Sequence, residues 1–232
     1  MLEAQNLCAW YGAAQILFDV SLTVGEGEVV ALMGRNGSGK TTTMKAIMGL
    51  VGRRAGMVRF DGQDLMRLKT FQIARLGIGW VPEDRRVFTD LTLMENLEVG
   101  RRRANGAKAW TPERLFELFP NLAEMRARPG GRMSGGEQQM LTVARTLMGN
   151  PRLVLLDEPS EGVAPLVVER MADTIAELKK EGLAVLLSEQ NLPFASAVSD
   201  RVYVLEKGSV RHHGPAAELR DDPALRDRLL AL

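Results

Sequence analysis

Glu28-Val29-Val30-Ala31-Leu32-Met33 runs directly into Gly34-Arg35-Asn36-Gly37-Ser38-Gly39-Lys40-Thr41. The first six residues form an apolar run without polar alternation, the pattern of a strand buried on both faces. The next eight match G-x-x-x-x-G-K-[ST], and a helix-compatible stretch, Lys40 to Leu50, follows. A strand, a glycine-rich loop and a helix in this order are the context in which such a loop holds phosphates. Glycines let consecutive backbone N–H groups turn toward a triphosphate, and the helix N-terminus adds partial positive charge. Lys40 then reaches the outer phosphates, and the Thr41 hydroxyl binds Mg²⁺. An ordinary Gly-rich turn needs neither the lysine nor this placement. The nucleotide-binding residues are therefore Gly34, Arg35, Asn36, Gly37, Ser38, Gly39, Lys40, Thr41 and Thr42.

On the N-terminal side, Leu2 to Leu7 and Leu17 to Val24 read as strands. On the C-terminal side the helix stops at the Gly-rich GLVGRRAG, and Met57 to Asp61 alternates into an Asp61-Gly62 turn. Leu76 to Pro82 repeats the buried-strand pattern. From about Asp84 to Asn150 the pattern changes to helices and loops, an inserted helical subdomain. Leu153 to Leu156, Leu183 to Leu187 and Arg201 to Leu205 are further strands, with Val167 to Lys180 an amphipathic helix between the first two. This βαβ alternation predicts an α/β fold with a largely parallel sheet. Leu225, Leu229 and Leu232 have near-helical spacing, so Pro223 to Leu232 is expected to be a docked terminal helix.

At 232 residues, with 45% apolar and 25% charged residues, the chain can bury a sizeable core, which excludes disordered and fibrous classes. Thirty Lys and Arg against 29 Asp and Glu leave a net charge of +1, too balanced to argue for nucleic acid. The single cysteine, Cys8, can close no intramolecular disulfide and points to a reducing compartment; on its own it reads as a small buried apolar residue. No apolar run approaches the roughly 20 residues of a membrane span, and the N-terminus lacks a signal-peptide pattern. Any membrane role must come through a partner.

Two further stretches carry chemistry. Leu153-Val154-Leu155-Leu156-Asp157-Glu158-Pro159 delivers two adjacent carboxylates at the C-terminal end of a buried strand, the edge where α/β sheets build their sites. Side chains alternate along an extended chain, so the two acids are expected to point apart. Asp157 suits a holder of Mg²⁺, and Glu158 a base for an attacking water; alone, the pair could be a strand-ending turn with solvated acids. Met133-Ser134-Gly135-Gly136-Glu137-Gln138-Gln139 opens a helix with Ser134 at its N-cap and Glu137 three residues on, a capping box. Taken blandly this is a well-capped helix. Yet Gly135 and Gly136 leave the first-turn N–H groups exposed, a second place for an anion.

Phosphate loop, SGGEQQ and LLLDEP, in this order and spacing, resemble the ATP-binding cassette of ABC transporters over essentially the whole chain. VPEDRRVF, MSGGEQQML, DEPSEGVAP and SEQN resemble most the LivF-type ATPases of branched-chain amino acid importers. The resemblance implies one ABC ATPase domain over 1–232. It has a RecA-like P-loop core of about 1–83 and 151–232 with an N-terminal antiparallel β subdomain, and a helical subdomain of about 84–150. It also implies a head-to-tail pair of cassettes, identical or paralogous, in which Ser134, Gly135, Gly136 and Glu137 face ATP held by the partner. Transmembrane permease subunits and, indirectly, a periplasmic solute-binding protein complete the implied importer. The cassette is expected peripherally on the cytoplasmic face of the inner membrane, with no nucleic-acid partner.

Within that resemblance, Tyr11 matches the aromatic that stacks on adenine, although plain packing also explains it, and Trp10 is the alternative. Three positions depart from the general pattern: Glu83 replaces a glutamine, Ala164 an aspartate and Gln190 a histidine. Glu83 can still offer oxygen to Mg²⁺ or water, and Gln190 can hydrogen-bond a γ-phosphate but cannot titrate near neutrality. Asp84 to Phe88 is expected to lie under the permease, with Val87 and Phe88 in an exposed groove. Arg85-Arg86 and Arg101-Arg102-Arg103 read as a solvated basic face, and His212 and His213 as surface residues without metal partners. Rival readings are an ABC ATPase of DNA repair or translation, a P-loop small-molecule kinase and a nucleotide sensor. The first needs extra domains that 232 residues do not accommodate. A kinase has no use for SGGEQQ, and a sensor none for Glu158.

Overall fold

The computed structural model describes residues 1–102, 109–224 and 227. Two sheets make the framework. A four-stranded antiparallel sheet, in the order β2-β1-β4-β5, consists of β1 (Leu2–Tyr11), β2 (Ala14–Val24), β4 (Arg53–Phe60) and β5 (Gln63–Asp64). A six-stranded sheet, in the order β10-β9-β3-β8-β7-β6, holds β3 (Val29–Met33), β6 (Ile78–Val81), β7 (Leu153–Asp157), β8 (Ala184–Glu189), β9 (Arg201–Glu206) and β10 (Ser209–Pro215). All its pairings are parallel except that of β10 with β9.

The uninterrupted apolar strands have a physical reason. On β3, Val29, Ala31 and Met33 enter one hydrophobic core while Val30 and Leu32 enter another. Val154 and Leu156 of β7 likewise oppose Leu153 and Leu155. The second core lies between the sheets around α1 (Lys40–Ile47) and also takes Ile73 of α2 (Thr70–Arg75). The first core joins the parallel sheet to α3 (Leu93–Gly100), α4 (Pro112–Leu118), α5 (Pro120–Ala123), α6 (Gly135–Leu147) and α7 (Pro165–Lys180). It extends to α8 (Leu192–Val198) and α9 (Ala216–Asp221). The helices between Asp84 and Asn150 thus share the sheet's core rather than burying one of their own.

Several expectations need correction. Arg53 to Gly56 belongs to β4, because pairing with Cys8, Ala9 and Trp10 of β1 supplies backbone partners that outweigh its glycine. Gly56 sits at a bulge with φ +98°, where a Cβ would strike the Asn6 carbonyl. Cys8 is only half-buried and shares two 3.4 Å hydrogen bonds with Asp19. Strand β10 and helices α8 and α9 were not legible in the sequence. His213 stacks on Tyr203 at 5.6 Å, and His212 lies 3.8 Å from Glu218. Most of the expected terminal helix, with Leu225, Leu229 and Leu232, lies outside the described residues, as does Arg103.

Candidate nucleotide site

The site stands at the C-terminal ends of β3, β7 and β8, brought level by register: Met33 pairs with Glu189, and Asp157 with Ser188. The loop from β3 to α1 turns through three left-handed glycines, Gly34, Gly37 and Gly39. A Cβ on Gly34 would meet the Leu205 carbonyl, and one on Gly39 would stand 2.8 Å from Leu17, whereas nothing lies within 4 Å of one on Gly37. The loop is therefore packed from behind and open in front. Helix α1 has no side-chain cap and no acid in its first turn, so its leading N–H groups are free for an anion. The buried Ser38 hydroxyl has no hydrogen-bond partner among the described residues, as a loop shaped for phosphate oxygens would leave it.

A cleft of about 430 Å³ opens beside this loop. Tyr11, Asn36, Lys40, Thr41, Glu83 and Glu158 line it. Tyr11 ends β1 at the Gly12-Ala13 turn and is 47% exposed, as a stacking platform requires. Trp10 is not part of the cleft lining and lies beneath Arg53, 4.5 Å from the ring centre.

Buried Lys40 donates to the carbonyls of Gly34 (2.8 Å) and Arg35 (3.3 Å) and pairs with Glu158 Oε1 at 3.0 Å. Asp157 Oδ1 accepts from Thr41 (2.9 Å) and Ser188 (2.7 Å). The two acids do diverge, although not by strand alternation alone. Glu158 leaves β7 with φ 46°, a left-handed conformation that costs about 1–2 kcal/mol in a residue with a Cβ. Its N–H is fixed by the Ser188 carbonyl and hydroxyl, both at 3.1 Å. Gln190 donates from Nε2 to Glu158 Oε2 at 2.7 Å, so its amide is engaged with the acid.

Burial pushes the Asp157 carboxyl up against the opposing pull of Ser188 and Thr41. At Glu158 burial also pushes up, but hydrogen bonds from Glu161, Gln190 and Lys40 outweigh it and hold the group below the usual range.

Two residues that carry this site were not read from the sequence. Buried Glu189 accepts from the backbone N–H groups of Ser160 (3.0 Å), Gln190 (3.0 Å) and Asn191 (3.1 Å), fixing the loops on either side of Glu158. Glu161 lines the cleft, and its hydrogen bond to Glu158, with burial and the charges of Glu158, Glu83 and Glu189, pushes its carboxyl up to about 7. Both lie in quoted motifs, but a carboxylate's neighbours across a sheet have no sequence signal.

Glu161 yields a pH prediction. Its folded pKa lies above the ordinary value of about 4.3, so the folded state binds the extra proton. The stabilisation is fully present below about pH 4 and is lost as pH rises through about 7. Melting curves without nucleotide from pH 5 to 8 should show wild type losing stability relative to Glu161→Gln. Parallel curves would show that this proton is not held.

Ser134 caps α6 as expected, its Oγ accepting from Glu137 N–H at 3.3 Å while Glu137 accepts from Ser134 N–H at 2.6 Å. This turn is not part of the cleft lining. Ala164 caps α7 without a side-chain bond.

Fold and cleft together define a phosphate-loop nucleotide-binding protein. The chain belongs to the ABC transporter family, whose model matches residues 17–161. It is 42% identical to the high-affinity branched-chain amino acid transport ATP-binding protein BraG of Pseudomonas aeruginosa, over 99% of each chain. The lipopolysaccharide export system ATP-binding protein LptB of Escherichia coli K12 is 37% identical over 95% of this chain and 93% of its own. A nucleotide-free ATP-binding cassette from an ABC transporter superposes with a TM-score of 0.82 at 27% identity, over 96% of each chain. The protein is thus an ATP-hydrolysing ABC cassette, the ATP-binding subunit of a transporter.

Proposed function

We propose that this ATPase drives import of branched-chain amino acids or a related small solute. End-to-end similarity to BraG carries the choice of solute class, since the export protein LptB is less similar. Residues 1–83 and 151–232 act as the nucleotide-binding core and 84–150 as the helical subdomain. No helix of the described residues is long and apolar enough to cross a membrane. The cassette is therefore read as peripheral, on the cytoplasmic face beneath its permease, with a periplasmic binding protein delivering solute.

The residues act as follows. Tyr11 stacks on adenine, and the loop from Gly34 to Thr42 holds the phosphates. Thr41, Asp157 and Glu83 offer only oxygen, which suits Mg²⁺. Among the described residues no three His, Cys, Asp or Glu are grouped to hold a metal alone; with Mg²⁺ bound, nucleotide and water oxygens would supply the other ligands. The bound ion would neutralise phosphate charge. A triphosphate competes with Glu158 for the Lys40 ammonium, which frees Oε1 of Glu158 to accept the proton of a water attacking the γ-phosphorus, as the bond from that phosphorus to the β–γ bridging oxygen breaks and ADP leaves with its electron pair. Gln190 steadies the other oxygen. Because Ser134 stands outside its own chain's cleft, it is read as serving the nucleotide of a second cassette, head to tail.

A groove of about 400 Å³, lined among others by Trp80, Phe88, Val99 and Arg145, offers the permease a seat. Phe88 is 46% and Val99 57% exposed, but Val87 packs against the core and drops out of the expected surface. Phe88→Ala should leave ATP hydrolysis of the isolated chain within about two-fold while solute uptake in vesicles falls at least about ten-fold, as for a lost interface anchor. Unchanged uptake would place the coupling surface elsewhere. The overall reading is tested by leucine uptake in cells lacking the gene: uptake restored by the wild-type chain supports it, and uptake present without the chain overturns it.

A further inference from the structure

The segment that leads to this groove contains an arginine pair whose two members are held differently. Arg85 and Arg86 both have left-handed φ, 60° and 49°. Arg86 is spent on Asp84, at 2.9 Å to each carboxylate oxygen. Arg85 is different. Its carbonyl is clamped to α6 by the Thr142 hydroxyl at 2.7 Å and by Arg145 at 3.4 Å. Its guanidinium reaches the far end of the same helix. Nη1 would stand 2.6 Å from a Cβ on Gly135, so the glycine leaves room for it, and Nη2 donates to the Gly162 carbonyl at 3.5 Å.

Among the described residues no carboxylate lies within salt-bridge distance of this guanidinium. It also stands at the N-terminal end of a 13-residue helix, whose partial charge is positive, so the helix repels it. Fold stability therefore gives no reason for a cation here. Its position does: the guanidinium lies over Gly135 and donates to Gly162 in the loop that follows Glu158, while its backbone carbonyl belongs to the segment beside the Phe88 groove.

We propose that Arg85 is a positioning residue that locks the Gly135 turn to the Gly162 loop, so that the segment beside the groove sets the alignment of both with the nucleotide. The proposal rests on the two-cassette reading, because only there does the Gly135 turn serve hydrolysis.

The test compares Arg85→Met and Arg85→Lys. Methionine keeps the length and packing but loses charge and donors, whereas lysine keeps a charged donor to Gly162. Steady-state ATPase of the isolated chain should show kcat falling about 3- to 10-fold in the methionine variant, within the net worth of an ordinary hydrogen bond. KM for ATP should stay within about two-fold, and lysine should restore part of kcat. A methionine variant with wild-type kcat would overturn the proposal. So would kcat and KM changing together with a lowered melting temperature, because that is the mark of a merely structural residue. Wild-type rate per chain, measured against chain concentration alone and with a paralogous cassette, tests the underlying reading separately. A rate independent of both removes the pair of cassettes and the proposal with it.

Discussion

Glu158→Gln is expected to bind ATP and hydrolyse it about 10²- to 10⁴-fold more slowly than wild type, the loss of a positioned general base. The amide cannot accept the water's proton at neutral pH, yet it has nearly the shape of the acid; it leaves buried Lys40 without its carboxylate partner, and the bound triphosphate supplies a replacement, so the nucleotide-loaded cleft should remain built. Gln190 donates to Glu158 Oε2 at 2.7 Å and the backbone N–H of position 158 is held by Ser188; neither bond requires charge. Slow turnover should trap ATP between two cassettes, with Ser134 at the opposing nucleotide. Size-exclusion chromatography of the variant with ATP, alone and with a paralogous cassette, should show a dimer. A monomer in both would remove the two-site arrangement, and a wild-type rate would remove Glu158 as the base.

Lys40→Ala should lose at least about 10- to 150-fold in ATP affinity, the worth of one charged hydrogen bond to the phosphates. The structure adds a second consequence. Lys40 and Glu158 are buried together at 3.0 Å, and removing one member of such a pair strands the other charge, at a cost of about 3–5 kcal/mol. The remaining carboxylate also repels the incoming triphosphate, so affinity and stability should fall together. Lys40→Ala combined with Glu158→Gln should recover much of the lost stability, because no unpaired buried charge remains. Urea unfolding of both variants measures this. If Lys40→Ala alone unfolds like wild type, the ion pair is not a stability element; undiminished ATP affinity would remove the phosphate-loop assignment.

Much of this site was legible because its parts are local. The phosphate loop needs left-handed glycines, a lysine and a hydroxyl within eight residues, and strand β3 and helix α1 flank it as the apolar run and helical stretch predict. The capping box at Ser134 and Glu137 closes within one turn and was read correctly for the same reason. The chain's place in the ABC transporter family followed from the order of these local motifs.

Tertiary structure decided which local pieces touch. Thr41 and Asp157 are 116 residues apart, yet stand 2.9 Å from each other because β3, β8 and β7 pair in parallel at one level. The same register turned Gln190 onto Glu158, buried Glu189 among three backbone N–H groups and gathered Glu161 into a cleft of acids. Arg85 reaches Gly162 across 77 residues by crossing the end of α6. Periodicity and propensity describe a residue's own backbone and which face it buries. The charge or donor that meets a side chain across a sheet depends on strand order and register, which are fixed only when the whole core packs.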